Sequence, residues 1–175
     1  MALIETVAPE KAEGDIEKAY SVFMNTIRMV PKPFQMFSVS PELMKIQRQL
    51  IDYYMNHPNL GFTLLTLIRF LVSREYSYQF CIDFNQNLLE MQGMEEDEIS
   101  KVVSDPGQAP LDEEEKALLL FVLKAVKSLD AVTEKDVDGL HQLGWTDTDI
   151  FDAVYHGTGM IPPSIMMRAF RVESE

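Results

Sequence analysis

Cys81 is the one thiol in the chain, so it sets the limits of any sulfur chemistry. A single cysteine excludes an intramolecular disulfide, a Cys-rich structural zinc site and a two-thiol redox cycle within one subunit. Cys81 lies in Tyr78-Gln79-Phe80-Cys81-Ile82-Asp83-Phe84-Asn85. Among such neighbours a lone cysteine is ordinarily a small buried apolar residue. To act as a nucleophile it needs a cation, an imidazole or a helix N-terminus to lower its pKa from about 8.5. A helix starting near Ser77 or Tyr78 would put Cys81 in its first turn.

The chain has three histidines. Asp138-x-x-His141 and Asp152-x-x-x-His156 each place a carboxylate and an imidazole on one helical face. Such a pair can orient a general base or contribute two metal ligands, although an ordinary surface pair is the commoner outcome. His156 is the better candidate because Gly157 follows it, where a helix can open. A di-iron bundle needs two Glu-x-x-His motifs, and the chain has none. No metal and no cofactor are therefore expected. Gly157-Thr158-Gly159 lacks the preceding strand and following helix of a dinucleotide fingerprint.

The elements that must position these residues read as helices throughout. Residues 1–14 form an extended arm ending at Gly14, and residues 15–175 form a single domain. Asp15 caps a helix through Ile16, Ala19, Tyr20, Phe23 and Ile27, stopped by Pro31 and Pro33. Ser40-Pro41-Glu42 starts the next, with a capping serine, proline at the first position and an acid in the first turn. From Gly61 to Gly93 no proline or internal glycine intervenes. The run Leu64 to Val72 is apolar nearly all round, which marks the central, most buried helix. The second half of the segment holds Cys81 and ends at Gly93, a left-handed C-cap. Further starts fall at Asp112, at Thr133 with Asp136 and at Thr146 with Asp149. Pro162-Pro163 is expected to break the chain before a short terminal helix. No alternating strand pattern appears, so the fold class is all-α.

Two stretches echo each other: Leu89-x-x-x-Gly93 followed by Glu95 to Ile99, and Leu140-x-x-x-Gly144 followed by Thr146 to Ile150. Each reads as a helix end, a glycine cap, a short turn and a new helix with an acidic first turn, which suits its dipole. The pattern points to an internally repeated helical unit.

The 15 basic and 28 acidic residues give a net charge of −13, which repels phosphate backbones, so no nucleic-acid partner is expected. The acids concentrate over residues 90–116, either as a solvated face or as a docking surface for a basic partner. Leu64 to Val72 is too short to span a bilayer and contains Arg69. With no export signal at the N-terminus, a cytoplasmic protein with no membrane partner is the expectation. The methionines, clustered at 24, 29 and 36 and again at 160, 166 and 167, fit adaptable core or subunit packing.

Several of these segments occur in an order and spacing that resembles a known family. Val7-Ala8-Pro9-Glu10-Lys11-Ala12-x-Gly14-x-Ile16-x-x-x-Tyr20 is similar to the N-terminal arm of alkylhydroperoxidase-D-like proteins of the carboxymuconolactone decarboxylase family. The similarity continues through Leu71-Val72-Ser73, the Cys81 segment, Gly93-x-x-x-x-Glu98-Ile99, Leu111-x-x-x-Glu115-x-Ala117-Leu118-Leu119 and Gly144-x-x-x-x-Asp149-Ile150. It covers about residues 7–160, and it implies an all-α alkylhydroperoxidase-D-like fold and a homo-oligomer.

The family's redox members use a glutamate, a Cys-x-x-Cys pair and a histidine as a proton relay and disulfide. Laid on this chain, the second cysteine is Cys81. The first falls on Tyr78, the histidine on Asn85 and the glutamate on Thr66. Tyrosine cannot close the disulfide, and neither asparagine nor threonine relays protons near neutral pH. The resemblance therefore implies a member that has lost the two-cysteine peroxidase motif and serves as a non-redox small-molecule-binding protein or diverged enzyme. The alternative is a one-cysteine hydroperoxidase using Cys81, with His156 or Arg74 folded beside it. The decarboxylase branch would require arginines to hold substrate carboxylates, for which Arg69, Arg74 and Arg168 are available.

Overall fold

The structure, a computed structural model, describes residues 2–172. Among them the regular elements are helices, with no strand. The α-helices are α1 (Gly14–Thr26), α2 (Lys32–Gln35), α3 (Pro41–Met55), α4 (Phe62–Glu75), α5 (Gln79–Met91), α6 (Glu96–Ser104), α7 (Glu113–Lys127), α8 (Glu134–Gln142), α9 (Asp147–Thr158) and α10 (Ile161–Ala169). The chain divides into two compact units, one of residues 1–57 with 162–175, the other of residues 58–161.

In the first unit α1 packs on α3 around Ala19, Tyr20, Val30, Phe34 and Met44, with Ile16, Phe23 and Phe37 against them. The arm is fixed by polar bonds. Tyr20 donates its hydroxyl to the Val7 carbonyl (2.9 Å), and the Val7 amide donates to Ser38 Oγ (2.8 Å). Arg28, at φ 59°, turns the chain just after α1, before the prolines are reached.

In the second unit α4 is central and packs on α5, α7 and α9. Leu64, Leu67, Ile68, Phe70 and Val72 have no measurable exposure, as an all-round apolar run requires. The long segment before Gly93 is broken at Tyr76–Tyr78, where Ser77 takes φ 55°, so α4 and α5 are separate helices. Gly157 lets α9 approach closely, since a Cβ there would lie 2.9 Å from Val122 Cγ1 and 3.2 Å from Ile68 Cγ2.

The echoed segments have matching geometry. Gly93 and Gly144 take φ 92° and 95°. Met94 N donates to Leu89 O and Trp145 N to Leu140 O, each at 3.1 Å, the six-to-one bond of a glycine-capped helix end. Each is followed by a capping box, Glu95 with Glu98 and Thr146 with Asp149. Pro162 and Pro163 do not break the chain ahead of the terminal helix. They lie in the first turn of α10, where an amide N–H is not needed.

Candidate functional site

Three helices of the second unit meet around Arg69. Along α4, Thr63, Thr66 and Arg69 recur every three residues and form a polar stripe through its apolar run, ahead of the polar last turn at Ser73, Arg74 and Glu75. Arg69 Nε donates to Asn85 Oδ1 of α5 at 2.8 Å, Nη2 donates to Thr66 Oγ1 at 3.0 Å, and Nη1 donates to His156 Nε2 of α9 at 2.9 Å. Guanidinium has only donors, so it fixes its partners: Asn85 must present its oxygen and His156 its unprotonated Nε2. The imidazole proton is then on Nδ1, and the ring also bonds the Leu65 backbone.

The remaining polar atoms are used in keeping with this. Asn85, only 1% exposed, donates Nδ2 to the Cys81 carbonyl at 2.8 Å. The Thr66 hydroxyl donates to Phe62 O at 2.7 Å, and Gln92 Oε1 accepts from Thr63 Oγ1 at 2.8 Å. Asn85 thus joins the guanidinium to the first turn of α5, where Cys81 is the third residue.

Arg69 and His156 keep partial exposure as whole residues, yet enough protein surrounds both head groups to disfavour charge. Desolvation lowers the Arg69 pKa to about 10, opposed by attraction to Cys81, which leaves the guanidinium charged at neutral pH. The His156 pKa falls well below its usual value, first through desolvation and then through the Arg69 charge, against the Leu65 bond. Among the described residues no carboxylate hydrogen-bonds or ion-pairs with Arg69. The site is a cation held by three neutral acceptors, able to take a negative charge from a thiolate or from an added anion.

The other candidate residues lie elsewhere or have other partners. Arg74 is not part of this cluster; its guanidinium lies 5.7 Å from the centroid of the Phe70 ring. Tyr78 is the N-cap of α5 and stacks on Tyr76 at 5.7 Å. Cys81 is buried, 7% exposed, and in no disulfide. His141 bonds Asp147 at 2.8 Å, across the α8–α9 turn. Arg168 lies in α10 of the first unit. Among the described residues no group of three or more His, Cys, Asp or Glu side chains could hold a metal. No helix there is long and apolar enough to cross a membrane.

Sequence reasoning named Arg69, Thr66, Asn85 and His156 separately and missed Thr63 and Gln92. The readable signal was the three-residue spacing of Thr63, Thr66 and Arg69.

No protein-family model matches the sequence, and no curated protein matches it. Solved structures do. One is the alkylhydroperoxidase AhpD core of an uncharacterized peroxidase-related protein from Ralstonia eutropha JMP134, at TM-score 0.80 and 17% identity, covering 99% of this chain and 92% of that one. Another is an uncharacterized peroxidase-related protein from Silicibacter sp. TM1040, at TM-score 0.77 and 17% identity, covering 99% and 88%. The chain has an alkylhydroperoxidase-D-like fold.

Proposed function

We propose that the second unit carries a non-redox site for a small anion, with Arg69 as the binding cation, on a scaffold that no longer runs a two-thiol peroxidase cycle. One observation carries this reading: Arg69 is held by Thr66, Asn85 and His156, none of which offers a negative charge. By the resemblance in sequence, Thr66 and Asn85 fall on the positions of the redox members' relay glutamate and histidine. Here they serve as hydrogen-bond acceptors for a guanidinium instead. A carboxylate suits the site, because planar oxygens match the guanidinium fork. The test is calorimetric titration with formate, run beside a peroxide-consumption assay with dithiothreitol. The reading predicts saturable formate binding that weakens at least about tenfold, or 1.4 kcal/mol, in Arg69→Gln, with no thiol-dependent peroxide loss. Equal binding by wild type and Arg69→Gln would overturn it.

A second reading, a one-cysteine hydroperoxidase, is favoured by the attraction between Arg69 and Cys81 and by the place of Cys81 in the first turn of α5. In that case the Cys81 thiolate attacks the peroxide, takes one oxygen to become a sulfenate and releases an alcohol or water. One outside thiol then condenses with the sulfenic acid to a mixed disulfide, releasing water, and a second thiol exchanges with it to free Cys81 and leave as the outside disulfide. Peroxide consumption that disappears in Cys81→Ser would select this reading over the first.

A further inference from the structure

In the first unit, α3 carries two apolar faces where its own packing uses one. Met44 and Ile51 pack on the core of Ala19, Tyr20 and Phe34, and Tyr54 is buried on the same side. On a second face Leu43, Ile46 and Tyr53 stand 51%, 61% and 46% exposed, with half-buried Leu50 between them. Scattered exposed apolar side chains need no explanation. These four recur at a spacing of three, four and three, which is the seam of a two-helix coiled coil.

The charge of the chain and the flanks of the seam choose its occupant. Residues 58–161 hold 19 of the 28 acids but 7 of the 15 bases, whereas residues 1–57 with 162–175 hold 9 and 8. Two copies of a chain at −13 therefore repel least where their first units meet. Beside the seam stand the uncharged Gln47, Gln49 and Asn56, and Glu42, which Lys45 neutralises at 3.2 Å. Arg48 and Asp52 pair with each other on another side of the helix. A lipid surface would call for lysines or arginines along these flanks. A basic protein would be drawn to the acidic second unit. A second copy brings the same apolar seam with the same uncharged borders.

We propose that α3 pairs with α3 of a second copy, antiparallel about a two-fold axis, with Leu43 of one against Tyr53 of the other and Ile46 against Leu50. The antiparallel sense sets each helix N-terminus beside the other's C-terminus, so the dipoles attract, and it keeps Glu42 away from its copy. A single helix pair falls short of the roughly 1,600 Å² of a standard interface, so the dimer is a weak one, with a Kd of about 1–100 μM.

Sedimentation velocity of the full chain from about 1 to about 500 μM tests the pairing, with a concentration-dependent shift from monomer to dimer expected. Ile46→Lys, at an exposed position where circular dichroism should show the fold intact, should weaken dimerisation at least about tenfold. Leu120→Lys, at an exposed apolar position of the second unit, should leave it unchanged. Leu43→Glu and Tyr53→Lys should each dimerise poorly alone and recover a dimer when mixed, because the two positions face each other in an antiparallel pair and not in a parallel one. A chain still monomeric at the highest concentration, an assembly indifferent to Ile46→Lys, or no recovery on mixing would overturn the proposal.

Discussion

A guanidinium taken partly out of water needs acceptors for its N–H groups or a counter-charge nearby, and Arg69 has the acceptors. His156 is the acceptor with a measurable signature, because it accepts only while neutral. Its folded pKa is depressed, so the unfolded chain binds the proton more readily than the folded one. The stability it contributes is therefore present above about pH 6.5 and declines as the pH falls toward the lower folded pKa, by up to about 1.4 kcal/mol per pH unit. His156→Gln keeps an oxygen for Arg69 and removes the titration. Urea unfolding between pH 7 and 5.5 should show a shallower loss of stability in that variant than in wild type. Equal slopes would mean that His156 is protonated in the folded site. The residues of this cluster were visible one at a time in the sequence, but their meeting was not. Arg69 and His156 are 87 positions apart, and neither helical spacing nor capping chemistry reports which helices will touch.

At the scale of the elements, the glycines separate three physical situations that look alike in sequence. Gly157 sits where α9 presses on α4 and α7, so Gly157→Ala should cost about 1–3 kcal/mol by overpacking against Val122 and move His156 away from Arg69. Gly93 holds φ 92°, and Gly93→Ala should cost about 1–2 kcal/mol because its Cβ crowds the backbone in that region. Gly139 is inside α8 with open space around it, and Gly139→Ala should stabilise by about 0.5–1 kcal/mol. Denaturant melts of the three variants should rank in that way, and a stabilised Gly157→Ala would contradict the close approach. Several helix starts were readable beforehand because caps are local chemistry: Thr133 with Asp136 and Thr146 with Asp149 form capping boxes, and Ser40-Pro41 stands at a helix N-terminus without a side-chain cap bond, whereas Asp15, expected as a cap, lies inside the first turn of α1 behind Glu13. The prolines at 162 and 163 were misread because proline opens a helix as readily as it ends one.

For the whole molecule, the net charge of −13 is a source of self-repulsion. Raising the ionic strength from about 10 mM to about 150 mM shortens the screening length from about 30 Å to about 8 Å. The thermal midpoint should rise over that interval, and a fall would show that attractive surface pairs such as Lys127 with Glu75 outweigh the repulsion. At this scale a largely apolar central helix, repeated glycine-capped turns and the absence of strand patterning made the all-α class and the repeated unit legible, and the alkylhydroperoxidase-D-like arrangement followed from the resemblance in segment order. Structures only 17% identical share it. Function was less legible because it depends on a few substitutions inside that scaffold, and a fold hosts more than one chemistry.

The most direct test of the account is the Arg69 side-chain Nε–Hε resonance, assigned by its loss in Arg69→Lys and followed by NMR as formate is added at pH 7. A guanidinium fixed by Asn85, Thr66 and His156 should give a protected, slowly exchanging signal that shifts saturably with formate and is unaffected by octylamine. A signal that exchanges as fast as those of surface arginines, or that ignores formate while peroxide is consumed through Cys81, would contradict the anion-site account.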